Sequence, residues 1–343
     1  MRNPYTGPTA PMPVARHEKL PTFSSWWPIG WGALAGLVMR LTFWGEPESA
    51  YAAMLDSFII GSPVLVGAVT VYMAERRARR SWSYYFLAPA FATLLYVVGT
   101  LVILIEGWIC AIVILPLFAF IGGLTGLLMG LVCRLTNWPP RAIVSSVALL
   151  PLITGAFEHR LPLPNLERAQ ERSVFIAAPA ADVWRQLVDA RDIRPDEVDG
   201  AWMYRIGVPL PLSGTADLRD GQHLRHIVMG KGIRFDQIAS EWSPGRAVTW
   251  TYQFAPDSFP PHALDDHVRI GGHYFDLGAT RYSLSERGNG TVLNVRMHYR
   301  VSTRFNWYAG PVADFLIGNF EENILRFYAR RALVQAPGRA ASS

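Results

Sequence analysis

Residues 84–133 read YYFLAPAFATLLYVVGTLVILIEGWICAIVILPLFAFIGGLTGLLMGLVC, and this stretch decides the fold class of the chain. It holds one ionisable carboxylate, Glu106, among side chains that are almost all aliphatic, aromatic or glycine. A bilayer core about 30 Å thick requires about 20 apolar residues per helix. The stretch therefore predicts two membrane spans joined by a tight turn at Glu106-Gly107-Trp108.

Composition divides the 343-residue chain into two parts. Half of the residues are hydrophobic and only 17% are charged, a balance that is shifted toward membrane proteins. The long apolar runs lie within residues 23–157, whereas residues 160–343 have the mixed composition of a soluble domain. The net charge of +5 comes with no stripe of basic and aromatic residues, so nucleic acid is not an expected partner.

Five membrane spans are predicted, at about residues 26–44, 58–74, 84–105, 109–133 and 142–157. As a helix, the fifth is only about 24 Å long. It also contains Pro151, so an interfacial or re-entrant segment is the alternative. Residues 1–22 are polar and rich in proline, which predicts a disordered tail, and residues 335–343 are expected to form a second one.

Arginines between the second and third spans set the predicted orientation. Basic loops resist translocation, so the cluster Arg76–Arg80 is expected on the cytoplasmic side of a plasma membrane. Five spans then place the C-terminal domain outside the cytoplasm. If the fifth segment does not cross, the domain stays inside.

Arg40, Glu106 and Glu158 fall within or beside the spans and toward the outer face, and Arg40 and Glu106 have opposite charge at matched depth. A charge at the centre of a membrane helix costs about 2.5 to 3.5 kcal/mol on insertion scales. An ion pair between these two side chains would offset much of that cost. The alternative is that each side chain reaches the outer headgroups separately.

The fourth span carries a row of glycines. Small residues let helix backbones approach closely within a membrane. The row predicts a packing face for another helix, either inside the bundle or in a homodimer. Its members are Gly122, Gly123, Gly126 and Gly130.

Residues 171–334 are predicted to form a soluble domain of antiparallel strands closed by one long helix, after a linker at residues 159–170. The Asn289-Gly290 pair predicts a hairpin turn, although it also opens an Asn-x-Thr glycosylation motif. The apolar spacing predicts a short helix at Ala181–Val188 and a long one at about Asn306–Ala332. The predicted strands are Ser173–Ala177, Ala201–Ile206, His223–Met229, Ile233–Glu241, Ala247–Phe254, Tyr274–Ser285 and Thr291–Ser302.

Three motifs and the closing helix resemble the START-like superfamily, also called helix-grip or SRPBCC, which includes polyketide cyclases and lipid-transfer domains. The motifs are VFIAAPAADVWRQLVD at 174–189, GKGIRFDQI at 230–238 and EWSPGRAVTWTY at 241–252. The resemblance implies an antiparallel sheet wrapped around the C-terminal helix and enclosing a cavity for an apolar small molecule. It implies no catalytic residues, because the superfamily shares no common set.

The membrane half, including EGWIC at 106–110, also resembles bacterial membrane proteins that carry such a domain behind a helical bundle. The expected fold class is therefore a membrane α-helical bundle plus an α+β helix-grip domain. The resemblance implies a multi-pass protein of the bacterial inner membrane, and the orientation predicted from the arginine cluster places its soluble domain outside the cytoplasm. The residues expected to line the ligand cavity are Trp250, Tyr252, Phe315 and Asn319.

The polar run DDHVRIGGHYFD at 265–276 holds the candidates for chemistry. Asp265, His267 and His273 are residue types that acid–base catalysis or metal binding would use. In an extended strand, however, His267 and His273 would lie roughly 20 Å apart, and a bend at the Gly271-Gly272 pair is the alternative. No metal is therefore expected, and no glycine-rich nucleotide motif indicates a cofactor.

These patterns favour a binding function over catalysis. The expected ligand is a hydrophobic small molecule or lipid, bound for transfer or sensing at the membrane surface. Two alternatives remain: a cyclase- or aromatase-type enzyme with polar groups converging at the cavity floor, and an interaction module whose core is filled by side chains.

Overall fold

A computed structural model describes residues 23–136 and 141–335 of the chain. The predicted tails at residues 1–22 and 336–343 lie outside the described residues, as do residues 137–140. Gln335, expected in the second tail, is instead the last residue of the final helix.

The first half of the chain is a helical bundle. Long apolar runs without charged interruptions favour helices that bury their backbone polar groups internally. Among the described residues, three helices are long and apolar enough to cross a membrane, at Asp56–Glu75, Trp82–Val102 and Trp108–Leu135. The bundle helices are α1 (Phe23–Thr42), α2 (Asp56–Ile59), α3 (Gly61–Glu75), α4 (Trp82–Val102), α5 (Trp108–Leu135) and α6 (Arg141–Glu158).

Contacts at the helix ends show that the long helices alternate in direction. The guanidinium of Arg77 lies 5.7 Å from the ring centre of Trp27, near the start of α1. Arg134, near the end of α5, donates to the carbonyl of Arg80 at 2.9 Å. The start of α1 and the end of α5 therefore share the end of the bundle that carries the arginine cluster. Crossing of a membrane stays a prediction for all the helices of the bundle.

The glycine row of α5 packs against α4 of the same chain. A Cβ atom on Gly126 would lie 2.1 Å from the carbonyl oxygen of Tyr85, and one on Gly130 would lie 2.3 Å from the Tyr85 ring. Only glycine permits this approach, so the face predicted for close packing is already used inside the bundle.

Arg40 and Glu106 form an ion pair, with 2.5 Å between Nε and Oε1. The Arg40 side chain is 7% exposed and that of Glu106 is 16% exposed. Arg40 also donates from Nη1 to the carbonyl of Phe43 at 2.7 Å. Pairing, rather than separate contact with headgroups, is therefore the arrangement in the structure.

The second half is a seven-stranded antiparallel sheet in the described residues, with strand order β1-β7-β6-β5-β4-β3-β2 and a long terminal helix. This arrangement fits a helix-grip fold, and the predicted α+β architecture is confirmed. The strands are β1 (Asn165–Ile176), β2 (Pro211–Arg219), β3 (Gln222–Met229), β4 (Arg234–Ser243), β5 (Ala247–Gln253), β6 (Phe275–Arg287) and β7 (Gly290–Ser302). The helices are α7 (Ala180–Val188), α8 (Pro195–Val198), α9 (Trp202–Arg205) and α10 (Asn306–Gln335).

Three predictions about strands were wrong. The strand expected at Ala201–Ile206 is the four-residue helix α9, and β2 was not predicted. The linker expected at residues 159–170 is strand from Asn165 onward, because β1 pairs with β7 along its whole length, from Asn165 opposite Ser302 to Ile176 opposite Thr291. Cross-strand pairing to a distant segment, which short-range pattern does not show, decides where β1 begins.

The core of the domain lies between the sheet, α7 and α10. Leu187 of α7, Trp250 of β5 and Leu293 of β7 have no exposed surface, and Tyr328 of α10 is 1% exposed. Alternate residues of β5 and β7 face α10, so the period-two pattern of the strands and the stripe on the helix meet in one apolar layer.

Polar contacts join the sheet domain to the bundle. The carboxylate of Asp265 accepts a hydrogen bond from the backbone N–H of Cys110 at 3.0 Å, in the first turn of α5. The Tyr308 hydroxyl donates to the carbonyl of Val113 at 2.6 Å. Arg304 pairs with Glu158 at 3.1 Å. The domain therefore contacts the end of the bundle opposite the arginine cluster.

Glu321 of α10 is a buried carboxyl in this domain, with no exposed surface. Its Oε1 accepts from the backbone N–H of Met297 at 3.2 Å, while Oε2 has no hydrogen-bond partner among the described residues. Burial raises the pKa of Glu321 from an ordinary 4.5 to about 7, although the bond from Met297 works in the other direction.

We expect Glu321→Gln to change the pH dependence of stability. The folded state favours the protonated acid, so wild-type stability falls as pH rises from about 4.5 through about 7. Relative to wild type, the variant should gain roughly 1 to 3 kcal/mol at pH 8 and lose this advantage by pH 5. Thermal unfolding of the full chain in detergent at both pH values measures the difference. Glu322→Gln, which changes the exposed neighbouring carboxyl, is the control, and a pH-independent difference for Glu321→Gln would contradict the assignment.

We expect a double-mutant cycle at Arg40 and Glu106 to show coupling. Each of Arg40→Gln and Glu106→Gln leaves the partner charge buried and uncompensated, whereas the double variant removes both charges. The double variant should lose less stability than the sum of the single variants, by about 1 to 3 kcal/mol. Melting temperatures of the purified variants give the coupling, and strictly additive losses would count against a stabilising pair.

Candidate functional site

A cavity of about 340 Å³ lies between the sheet, α10 and the adjoining end of the bundle. Its volume falls within the range of about 300 to 1,000 Å³ that is usual for small-molecule sites. Phe58, Tyr96 and Ile109 line it from the bundle, and Phe235 and Ile227 line it from the sheet. The two halves of the chain therefore build one mostly apolar site.

Helix α10 supplies the longest wall of this cavity. Its lining residues recur every three or four positions and so share one face of the helix. From Ala309 to Tyr328 this face is about 28 Å long. The cavity is therefore elongated, with its bundle end near the start of α10. The residues of this face that line the cavity include Ala309, Ala313, Leu316, Phe320, Ile324 and Tyr328.

Polar side chains gather at the other end of this wall. Arg225 of β3 lies opposite Gln237 of β4 in the strand register, and Gln237 lies opposite Tyr252 of β5. Directly paired residues point to the same face of a sheet. Arg225 donates from Nη2 to the hydroxyl of Tyr328 at 3.0 Å, and the Tyr252 hydroxyl contacts Thr280 Oγ1 at 2.6 Å.

Titration of this polar end is governed by burial. Burial raises the pKa of Tyr252 to about 12, and it raises the pKa of Tyr204 and Tyr282 as well. Burial alone would lower the pKa of Arg225, but charge interactions with Tyr328 and Tyr282 and the hydrogen bond to Tyr328 outweigh it, and the net shift is upward. At neutral pH the end of the cavity therefore holds protonated phenols around a cationic guanidinium.

Of the residues expected to line a ligand site, Tyr252 lines this cavity and Trp250 does not. The two share a face of β5, as strand alternation predicts. Trp250 lies further along the strand toward α7, with its ring centre 6.0 Å from that of Trp242. Its indole is fully buried in the domain core, so position along the strand, not facing, separates the two residues.

Phe315 and Asn319 also lie outside the cavity lining. Phe315 is 56% exposed and its ring centre lies 6.4 Å from that of Trp202. The side-chain oxygen of Asn319 accepts from the backbone N–H of Trp202 at 2.7 Å. Both residues face α9, the segment predicted as a strand, and this is why their predicted placement was wrong.

The three candidates for chemistry occupy different surroundings. Asp265 binds the first turn of α5, His267 lines the cavity, and His273 lies 3.5 Å from Glu48 of the bundle. The two histidine rings contact the ring of Tyr274 at 5.8 and 4.8 Å between centres. The segment between the histidines does not stay extended, because the chain turns at Gly271, where φ is +70°, and this is the bend left open for the Gly271-Gly272 pair.

No group of three or more His, Cys, Asp or Glu side chains that could hold a metal ion occurs in the part of the chain that the structure describes.

Sequence reasoning missed Arg225 and Gln237. A signal was present in HLRHIVM at 223–229, because Arg225 falls in the same alternating set as Ile227 and Met229, which line the cavity.

Comparisons with known proteins gave matches among solved structures. No protein-family model and no curated protein sequence matches the chain. It is similar to the di-domain ARO/CYC StfQ from the steffimycin biosynthetic pathway, at 14% identity and a TM-score of 0.33, over 57% of this chain and 61% of that one.

Two further matches cover almost all of the matched chain. The chain is similar to the Zhui aromatase/cyclase from Streptomyces sp. R1128, at 14% identity and a TM-score of 0.31, over 50% of this chain and 99% of that one. It is also similar to a START superfamily protein from Mycobacterium smegmatis, at 15% identity and a TM-score of 0.31, over 48% and 97% of the two chains. About half of this chain is therefore similar to each of these two solved structures.

Proposed function

We propose that this protein is a membrane-anchored binding protein that holds a hydrophobic small molecule or lipid in the cavity shared by its two halves. The observation that carries the proposal is the continuity of the cavity wall. Apolar residues of the bundle, such as Ile109 and Phe118, and apolar residues of the sheet domain, such as Phe320 and Ile324, line the same space. A ligand bound there contacts the anchor and the domain at once.

The position of the bundle end suggests how a ligand enters. Next to Ile109 the chain exposes apolar side chains in the turn between α4 and α5, where Leu104 is 84% exposed and Trp108 is 67% exposed. Exposed apolar groups of this kind suit the boundary of a bilayer. A lipid from the adjacent leaflet could reach the cavity here with little passage through water, which suits transfer or sensing at the membrane surface.

The two alternative functions have less support. A cyclase- or aromatase-type enzyme would need acid–base groups that converge in the cavity, whereas His267 lines it and Asp265 and His273 do not. A module with a filled core would leave no space, whereas the cavity measures about 340 Å³.

We also propose that the domain lies outside the cytoplasm. The support is that its contacts with Cys110, Val113 and Glu158 are at the end of the bundle opposite Arg76–Arg80. Because basic loops stay cytoplasmic, the opposite end and the domain on it would face out.

We expect Ala313→Trp to block the cavity. Ala313 lines the wall that α10 supplies, so an indole there should reduce the affinity for a neutral hydrophobic fluorophore about tenfold or more, with little loss of stability. If the space is closed core instead, the variant should lose about 1 to 3 kcal/mol of stability with unchanged probe binding. Fluorescence titration and thermal unfolding of the full chain separate these results. Ala169→Trp, at an exposed position of β1, is the matched control and should change neither.

We expect reporter fusions to give opposite signals at the two ends of the bundle. Alkaline phosphatase, which is active only outside the cytoplasm, should be active after the last residue and inactive in the loop of Arg76–Arg80. A cytoplasmic fluorescent reporter at the same sites should give the reverse pattern. Phosphatase that is active after Trp108 but inactive at the C-terminus would show that α6 does not cross and would place the domain inside.

A further inference from the structure

Arg225 is a buried cation without an anionic partner. The residue is 6% exposed, and no Asp or Glu in residues 23–136 and 141–335 forms an ion pair with it. The carboxylate in the described cavity lining belongs to Glu106, which Arg40 already engages. A buried charge is expensive unless an opposite charge compensates it.

Part of the hydrogen-bonding capacity of the Arg225 guanidinium is also unused in the described residues. Its Nη2 donates to the Tyr328 hydroxyl at 3.0 Å, but its Nε is buried and has no partner among the described residues. A neutral phenol is a weaker partner for a guanidinium than a carboxylate or phosphate, which accepts two parallel bonds. The tyrosines therefore leave both charge and donors available.

Gly214 and Gln237 lie next to Arg225 in the sheet. A Cβ atom on Gly214 of β2 would lie 2.7 Å from Arg225 Nε and 2.8 Å from Nη2, so a side chain there would displace the guanidinium from its present position. Gln237, the register partner of Arg225, is 8% exposed and its Oε1 has no partner among the described residues. In the described residues, an unused donor and an unused acceptor thus belong to register partners that both line the cavity.

We propose that Arg225 binds an anionic oxygen group, a carboxylate or a phosphate, at the head of a ligand whose single apolar chain extends along α10 toward the bundle. The proposal deepens the ligand-binding function and rests on it. The head would bring the charge that Arg225 lacks, and the wall from Ile324 to Ala309 would hold the chain. A ligand of this class has the form of a fatty acid or a monoalkyl phosphate.

Competition between matched ligands tests this proposal on the full chain in lipid nanodiscs. Hexadecanoate, hexadecyl phosphate and hexadecanol share one chain and differ in the head, and each displaces a bound neutral hydrophobic fluorophore. Wild type should prefer an anionic ligand over hexadecanol by about tenfold or more, since a charge-assisted bidentate contact replaces a neutral one. In Arg225→Gln this ratio should fall close to one, while the fluorophore still binds. Comparing ratios between variants cancels the partitioning of each ligand into lipid.

Two variants serve as controls. Arg225→Lys keeps the charge without the planar fork and should retain part of the preference. Arg281→Gln removes an exposed arginine of β6, which pairs with Glu241 on the domain surface, and should leave the ratio unchanged.

The outcomes separate this proposal from the function on which it rests. Two results would overturn the role of Arg225 and leave the binding function standing. In one, wild type binds the fluorophore but shows no preference for an anionic head. In the other, Arg225→Gln keeps the full preference. If wild type binds no fluorophore, the binding function itself fails. Should Arg225→Gln not fold, the wild-type ratio and Arg225→Lys still decide. The preferred anion distinguishes a carboxylate head from a phosphate head.

Discussion

The cavity depends on a carboxylate that holds the sheet domain against the first turn of α5. The first N–H groups of a helix have no partner within it and carry partial positive charge. Asp265 accepts from one of them, that of Cys110. A Cβ atom on the preceding Gly107 would lie 1.3 Å from the Asp265 carboxylate, so glycine at this position permits the contact. Without this docking, bundle and sheet would each present half of a cavity wall to solvent.

Two buried arginines of this chain have different surroundings. Arg40 is paired with Glu106 inside the bundle, and the pair offsets the cost of placing either charge in apolar surroundings. Arg225 lies in the domain among phenols, with one of its donors unused. Stability alone favours the first arrangement. An unpaired arginine at the far end of an apolar cavity is the arrangement that selects a ligand by its head.

Several features of the fold could be predicted from local pattern alone. Apolar runs as long as Trp108–Leu135 have few solutions other than a membrane helix, because no water is present to satisfy backbone groups in a bilayer. The Asn289-Gly290 turn and the alternation on either side of it identify β6 and β7. The stripe on α10 required a partner layer, and the sheet supplies it. Each of these inferences uses interactions between residues close in sequence.

The helical bundle, most of the strands and the long terminal helix could be predicted from the sequence, since each follows from its own hydrophobic period. Tertiary structure decided the rest. The apolar run at 201–206 is too short for periodicity to separate strand from helix, and as α9 it covers Phe315 and Asn319. The row of Arg225, Gln237 and Tyr252 exists only because strand register aligns three segments that lie up to 27 positions apart. Register is a cooperative property of the whole sheet, so the site is not visible in any one strand.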